Sequence, residues 1–242
     1  MNIGCWSGPR NLSTAMMYAF GAREDFVVRD EPFYAAYLAQ TGLNHPMADE
    51  IIADGETNPE MVGADCANRG DPHKYLKLMT HHMIWGLDQP WFDEVSHTML
   101  IRHPARVLAS YAQKREHPTL SDIGFVQQCE IYDALVERGH APVVIDSFDI
   151  RANPELALKS LCKAIGLTFD PKMLSWPKGG HPSDGIWASH WYGAVHSSTK
   201  FAAKEGPLPS LPDDLGQVCG EALPYYRRLK ALALNFEGSQ ND

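Results

Sequence analysis

Residues 3–21 read IGCWSGPRNLSTAMMYAFG, and this stretch decides the fold of the amino-terminal half. The apolar run 3–6 predicts a buried strand, and apolar residues at helical spacing over 11–21 predict a helix. The backbone N–H groups of the loop between them and the positive end of the helix dipole would converge on one point. The stretch therefore predicts an anion-binding loop.

The loop differs from that of the nucleotide triphosphatases, which reads Gly-x-x-x-x-Gly-Lys-Ser/Thr. With the two loops aligned on Thr14, Leu12 takes the place of the second glycine and Ser13 that of the lysine. A positive charge is supplied earlier by Arg10, and the Ser13 and Thr14 hydroxyls can donate to phosphate oxygens. The alternative interpretation is an ordinary strand–turn–helix in which a serine caps the helix.

Beyond this stretch, short apolar runs alternate with helical patterns, which predicts a parallel sheet with helices on both faces. We expect one α/β domain over residues 1–242, with about five strands in a three-layer arrangement. Residues 175–204 show weak periodicity and predict a long irregular segment of the kind that often carries function. The predicted strands are 3–6, 26–28, 75–79, 98–101 and 142–145. The predicted helices are 11–21, 33–40, one or two polar helices in 46–69, 105–115, 121–138, 154–165 and 213–234.

Composition excludes several classes of protein. The formal net charge of −9 disfavours general nucleic-acid binding. The sequence contains no run of about 18 apolar residues, so we expect no membrane span. The five cysteines are scattered without a Cys-x-x-Cys pair, and the histidines lack metal-ligand spacing, so we expect neither a disulfide framework nor a metal. The amino terminus lacks the features of a signal peptide. These observations favour a cytoplasmic protein with a small-molecule ligand, and they do not predict an oligomeric state.

A second motif follows the fourth predicted strand. Arg102 stands at its carboxyl end, where open α/β sheets bind ligands, and Ser110 lies about two helical turns further on. An arginine at the strand end and a hydroxyl on the next helix can hold one phosphate, and arginine–phosphate pairs are often bidentate.

Together, Pro-Arg-x-x-Ser-Thr over residues 9–14 and Arg-x-Pro-x-x-x-x-x-Ser-Tyr over residues 102–111 resemble the P-loop sulfotransferase family. The resemblance covers roughly residues 1–170. A poorly characterised branch of the family is resembled by Trp-Ser-Gly-Pro-Arg-Asn-Leu-Ser-Thr over residues 6–14 with Asp30-Glu31-Pro32 after the second strand, and by Asp184-Gly185-Ile186-Trp187 with Trp191-Tyr192. The resemblance to the family implies a P-loop NTPase-like fold and the donor 3′-phosphoadenosine 5′-phosphosulfate (PAPS). By this resemblance Arg102 and Ser110 bind the 3′-phosphate. The residues implied for the 5′-phosphosulfate are Pro9, Arg10, Asn11, Leu12, Ser13 and Thr14.

The sequence also departs from the family pattern. Asn11 and Leu12 stand where family loops commonly have Ser-Gly, so Leu12 is expected to offer only its backbone. The late Arg-Lys-Gly pattern is missing. In its place, residues 178–200 offer basic and hydroxyl side chains that can close over the nucleotide: Lys178, His190, His196, Ser197, Ser198 and Lys200.

The resemblance also implies a catalytic group at the end of the third strand. There a histidine serves as the base with a nearby lysine, so His81, His82 and Lys77 are the candidates, alongside Arg10. The ordinary pKa of histidine suits a base at neutral pH. Adjacent residues point to different sides, which leaves one catalytic histidine, and we favour His81. The alternative is a histidine pair at a helix start that bonds backbone groups.

Asp30 and Glu31 follow the second strand, on the same edge as Arg10. They can bind a cationic or hydroxylated acceptor. Alternatively, they pair with Arg10 or cap a helix that begins at Pro32. Three aromatic residues of the irregular segment either stack on a ligand or belong to the core, namely Trp187, Trp191 and Tyr192.

These observations predict a PAPS-dependent sulfotransferase that moves a sulfuryl group to a hydroxyl or amine of a small-molecule acceptor. One alternative is a small-molecule or nucleotide kinase of the P-loop class, for which Asp146 is the candidate magnesium ligand at a strand end. The other is a non-catalytic nucleotide-binding relative.

Overall fold

A computed structural model describes residues 1–113 and 117–236 of the chain. Five parallel strands form one sheet in the order β2-β3-β1-β4-β5, and helices cover both faces, so the predicted α/β fold is confirmed. The strands are β1 (Asn2–Ser7), β2 (Phe26–Asp30), β3 (His73–Met79), β4 (Ser96–Ile101) and β5 (Val143–Asp146).

The central strand β1 shows why the sheet is covered on both sides. All six of its residues are buried, as expected for a parallel strand between two helical layers. Because side chains alternate along a strand, Ile3 and Cys5 enter the core on one face and Trp6 enters the core on the other. The ladder pairs Trp6 with Leu78 of β3 and with Met99 of β4, which brings the carboxyl ends of the three strands to one edge.

Twelve α-helices lie between and after the strands in the described part of the chain. The stretch 46–69, predicted to hold one or two polar helices, contains two, Ala48–Asp54 and Pro59–Ala67. The helices are α1 (Ser13–Gly21), α2 (Tyr34–Thr41), α3 (Ala48–Asp54), α4 (Pro59–Ala67), α5 (Pro104–Tyr111), α6 (Leu120–Ile123), α7 (Phe125–Glu137), α8 (Ser147–Ala152), α9 (Pro154–Ala164), α10 (Ala188–Trp191), α11 (Gly193–His196) and α12 (Asp213–Lys230).

The predicted single helix over 121–138 is wrong, because Gly124 divides it into α6 and α7. Gly124 has a φ of +71°, and a Cβ added there would lie 2.5 Å from the Thr80 hydroxyl oxygen. Only glycine fits this left-handed position without strain. The break lets the chain turn beneath the first loop, where the Gly124 Cβ position is 3.5 Å from the Cα of Gly8.

Other helix boundaries shift by a few residues. Helix α1 begins at Ser13 rather than at residue 11, because Leu12 adopts a left-handed conformation. Helix α12 ends at Lys230, four residues before the predicted end. The last two residues of the predicted helix 105–115 lie outside the described part of the chain.

The irregular segment 175–204 packs on the edge of the sheet and contains only the two four-residue helices α10 and α11. The five cysteines are free and buried. Within residues 1–113 and 117–236, no helix combines the length and the apolar character needed to cross a membrane.

Candidate functional site

A cavity of about 290 Å³ opens at the carboxyl ends of β1, β3 and β4. Thirteen residues were assigned from the sequence to the two anion-binding motifs, the catalytic group and the acceptor, and the cavity wall contains twelve of them. The other, Asp30, is not part of the wall. These twelve are Pro9, Arg10, Asn11, Leu12, Ser13, Thr14, Glu31, Lys77, His81, His82, Arg102 and Ser110. Residues far apart in sequence thus share one pocket, at the sheet edge where α/β proteins bind ligands.

The first loop is held in an unusual backbone conformation. Arg10 and Leu12 have positive φ values of 62° and 74°, and Glu31, across the cavity, has 44°. Non-glycine residues in this region are strained, and such strain concentrates at functional sites. Leu12 therefore adopts the left-handed conformation that a glycine would adopt at lower cost.

The amino terminus of α1 faces the cavity without a side-chain cap. Its N-cap residue is Leu12, whose side chain cannot accept a hydrogen bond, so the interpretation of a serine cap is wrong. Asn11 anchors the loop instead, because its buried side chain donates to the Leu100 carbonyl of β4 at 3.2 Å. The first N–H groups of α1 are therefore available to an anion, and the helix dipole favours negative charge there.

The residues of the two motifs contact each other. Arg10 Nε donates to Ser110 Oγ at 2.9 Å, and Arg102 Nη1 donates to the Arg10 carbonyl at 2.7 Å. Burial lowers the pKa of Arg10, and the positive charge of Arg102 lowers it further. The two guanidinium groups lie close together, and Lys200 lines the same wall. Their positive charges repel one another, so a bound anion would stabilise this arrangement.

The two histidines differ in environment. They form the short 3₁₀ turn Thr80–His82 after β3, and their rings lie 4.5 Å apart. His82 is buried and stacks between Tyr34 and Tyr37, with centroid distances of 4.7 Å and 4.8 Å. Burial lowers the pKa of His82 well below its usual value, and the neighbouring His81 adds to this. His82 is therefore neutral and a weak base, whereas His81 is only half-buried at the cavity wall.

Lys77 lies at the centre of a buried ion-pair network. Its ammonium is 2.9 Å from Asp30 Oδ1 and 2.6 Å from Glu31 Oε1, and it also donates to the Tyr192 hydroxyl. Burial alone would lower the pKa of Lys77, but the two carboxylates outweigh it and raise the pKa. All three ammonium protons are thus engaged, so Lys77 contributes a fixed positive charge to the cavity wall.

Asp30 and Glu31 pair with Lys77 rather than with Arg10, and neither caps α2 through its side chain. Burial raises the pKa of Asp30, and the attraction of Lys77 offsets this only in part. Asp30 also accepts from the Gly185 N–H at 3.1 Å and from the Tyr192 hydroxyl. Of the two acids, Glu31 reaches the cavity and Asp30 belongs to its framework.

The irregular segment supplies the opposite wall. Tyr192 and Trp187 are core residues, and Trp187 Nε1 donates to the Tyr192 hydroxyl at 3.0 Å. Tyr192 also lines the cavity, together with Trp191, Ser198 and Lys200, whereas Trp187 does not. The remaining side chains proposed to close over a nucleotide do not line it: Lys178, His190, His196 and Ser197.

Asp146, the candidate magnesium ligand of a kinase, is engaged away from the cavity. Its side chain caps α8 by accepting from the Phe148 N–H at 2.9 Å. It also accepts from the Tyr226 hydroxyl at 2.8 Å and pairs with Lys230 at 3.0 Å. These partners leave the kinase interpretation without its metal carboxylate.

A family model described as a sulfotransferase domain matches residues 1–233. The chain belongs to the sulfotransferase family. Two solved structures share the fold of this sulfotransferase-family chain. The sulfotransferase domain from the curacin biosynthetic pathway aligns with a TM-score of 0.51 at 14% identity, covering 90% of this chain and 96% of that one. The sulfotransferase domain from the Synechococcus PCC 7002 olefin synthase aligns with a TM-score of 0.50 at 18% identity, covering 91% and 94%.

Two Arabidopsis thaliana proteins are similar in sequence to this sulfotransferase-family chain. Branched-chain-amino-acid aminotransferase-like protein 1 is 34% identical over 231 residues, covering 95% of the chain. Branched-chain-amino-acid aminotransferase-like protein 2 is 36% identical over 234 residues, covering 94%. The chain spans 41% of the length of each relative.

Several wall residues of this sulfotransferase-family chain were missed by the sequence motifs. Two of them, Tyr34 and His45, come from α2 and the loop after it. Tyr34 resembles an ordinary core aromatic in the sequence, and His45 lies in a polar stretch without a motif. Only the packing of the segment around α2 against the 3₁₀ turn at His82 brings them to the site.

Proposed function

We propose that the cavity binds PAPS and that the protein transfers its sulfuryl group to a hydroxyl or amine of a small-molecule acceptor. The observation that supports this most strongly is the joining of the first loop and the second motif through the Arg10–Ser110 and Arg102–Arg10 hydrogen bonds. A donor with phosphate groups at both its 5′ and 3′ positions needs two adjacent anion sites, and this cluster offers both in one pocket.

The 5′-phosphosulfate is assigned to the first loop. The uncapped N–H groups of α1 and the hydroxyls of Ser13 and Thr14 would donate to its oxygens, and Arg10 would balance the charge that grows on the bridging oxygen. The 3′-phosphate is assigned to Arg102 and Ser110. In this arrangement Arg10 stands between the two phosphate sites, since it contacts Ser110 directly.

The acceptor is assigned to the side of the cavity that His81 and Glu31 share. His81 takes the proton from the acceptor hydroxyl or amine as the acceptor atom attacks sulfur. The bond between sulfur and the bridging oxygen breaks, and its electron pair leaves on the phosphate of adenosine 3′,5′-bisphosphate. Lys77 holds Glu31 in place through their ion pair, and its positive charge offsets the negative charge of Glu31 on the acceptor side of the cavity.

Calorimetry with adenosine 3′,5′-bisphosphate and with ATP–Mg²⁺ tests the donor assignment. We expect the bisphosphate to bind without metal and more tightly than ATP–Mg²⁺. Preference for ATP–Mg²⁺ would support a kinase instead, and binding of neither would contradict a phosphonucleotide site.

Turnover is tested separately by following release of the bisphosphate from PAPS in a screen of hydroxyl and amine acceptors. Bisphosphate binding without turnover of any acceptor would favour the non-catalytic alternative.

A further inference from the structure

Glu205 is a buried carboxylate surrounded by three arginines. It lies in residues 201–212, which form neither helix nor strand, and only 2% of its side chain is exposed. Arg102 Nη2 donates to Oε1, Arg151 Nη1 lies 2.6 Å from the same oxygen, and Arg106 Nε lies 3.0 Å from Oε2. A carboxylate buried this deeply is tolerated only with such pairing.

The three arginines come from separate parts of the fold. Arg102 follows β4, Arg106 lies on α5 and Arg151 lies on α8. Glu205 therefore ties a segment without regular structure to three elements at the ligand-binding edge. Three guanidinium charges against one carboxylate leave the cluster with a net charge of about +2, which still favours an anion nearby.

Arg102 is the member of this cluster that faces the proposed donor site. It lines the described cavity, whereas Glu205 and Arg106 line a different one and are absent from its wall. Its guanidinium is held at two points, by the Arg10 carbonyl and by Glu205. A guanidinium carries five N–H donors, and these two contacts use one donor of Nη1 and one of Nη2, so the group keeps donors for a ligand.

We propose that Glu205 is a positioning residue that holds the Arg102 guanidinium in the orientation needed to bind the 3′-phosphate of the donor. This proposal rests on the proposed function of the cavity. Glu205 acts from the side of Arg102 away from the cavity and does not touch the ligand. With the guanidinium fixed in advance, binding does not have to restrict a long, flexible side chain.

The sign of the effect separates this role from simple electrostatics. Loss of a negative charge beside the site would strengthen binding of a multiply charged anion, by Coulomb attraction alone. Loss of an orienting contact would weaken it. We expect Glu205→Gln to raise the Kd of adenosine 3′,5′-bisphosphate by about tenfold. The Kd of adenosine 5′-phosphate, which lacks the 3′-phosphate, should change by less than about twofold.

Two further variants complete this calorimetric test. Glu205→Asp keeps the negative charge and shortens the side chain. A positioning role therefore predicts weaker bisphosphate binding, whereas a purely electrostatic role predicts an unchanged Kd. Because Glu205→Asp also keeps a carboxylate for the arginines to pair with, it still tests the proposal if Glu205→Gln fails to fold. Arg151→Ala is the matched control, because Arg151 contacts Glu205 but does not line the cavity, and its Kd should stay within about twofold of the wild type.

A double-mutant cycle tests whether Glu205 acts through Arg102. In an Arg102→Ala background, Glu205→Asp should leave the bisphosphate Kd unchanged. Unchanged or tighter binding in both Glu205 variants, or an equal loss with and without Arg102, would overturn the proposal.

The orientation of Arg102 can also be observed without a ligand, by nuclear magnetic resonance of its Nε–Hε group. This measurement distinguishes failure of the positioning role from failure of the proposed function, which would appear as no bisphosphate binding by the wild type. We expect the Arg102 signal to be ordered in the wild type and in Arg151→Ala, and to become mobile in Glu205→Asp. An equally ordered signal in Glu205→Asp would overturn the positioning role, whatever the ligand of the cavity.

Discussion

Replacing Arg102 by alanine isolates the contribution of one guanidinium to anion binding in the cavity. Hydrogen bonds from a charged donor contribute about 1.5–3 kcal/mol. Their loss corresponds to a bisphosphate Kd weaker by about 10- to 150-fold. Affinity for adenosine 5′-phosphate should change little, because the first loop loses only the Arg102 contact and stays anchored by Asn11 to β4 and by Arg10 to Ser110. Calorimetry with both ligands, on the wild type and the variant, measures the difference.

The structure also supplies the control for this experiment. Arg106 contacts the same carboxylate as Arg102 but does not line the cavity, so Arg106→Ala should leave the bisphosphate Kd within about threefold of the wild type. In Arg102→Ala, Glu205 keeps Arg106 and Arg151, so no buried carboxylate is left unpaired and the protein should stay folded. Equal losses for the bisphosphate and the 5′-phosphate, or an equal loss in Arg106→Ala, would refute the assignment of Arg102 to the 3′-phosphate.

Three further predictions concern the base, a glycine and the pH dependence of stability. His81→Ala should lower kcat for sulfuryl transfer by about 10²- to 10⁴-fold, as expected for loss of a general base. His82→Phe, which keeps the stacking on Tyr34, should lower kcat much less, and the reverse order of the two losses would assign the base to His82. Gly124→Ala should destabilise the protein by about 2–4 kcal/mol in urea unfolding, since it adds a clash with Thr80 to the strain of a positive φ. Gly139 also has a positive φ, but a Cβ added there would meet no atom within 4 Å, so the control Gly139→Ala should lower the unfolding free energy by only about 1–2 kcal/mol. Equal losses of stability in the two variants would exclude the clash with Thr80. Burial lowers the pKa of His97 to about 4, so between pH 6.5 and pH 4 the unfolded chain binds a proton that the native state does not. His97 should account for a decrease of about 3 kcal/mol in the unfolding free energy over that window, in addition to the decrease caused by the buried His82. The decrease should therefore be smaller by about 3 kcal/mol in His97→Asn, and an equal decrease there would contradict this origin.

Much of the fold was predictable from local patterns. The apolar runs located all five strands to within two residues, because buried parallel strands are short, continuous and apolar. The single helix predicted over 121–138 failed because the pattern does not reveal that Gly124 meets Thr80 and the first loop. A contact between segments 44 residues apart, such as Thr80 with Gly124, leaves no periodic signal.

The sequence by itself determined which groups stand at the carboxyl ends of the strands, since a strand end followed by Arg10, Arg102 or His81 is a local feature. The tertiary structure decided which of them meet. It paired Arg10 with Ser110, enclosed Lys77 between Asp30 and Glu31, and buried Glu205 among three arginines. It also separated the two histidines by burial: both line the cavity, but only His82 is fully buried, and this makes His82 a weak base. The physical reason is that local sequence sets backbone conformation and hydrophobic periodicity, whereas burial and charge pairing depend on segments that only the folded sheet brings into contact.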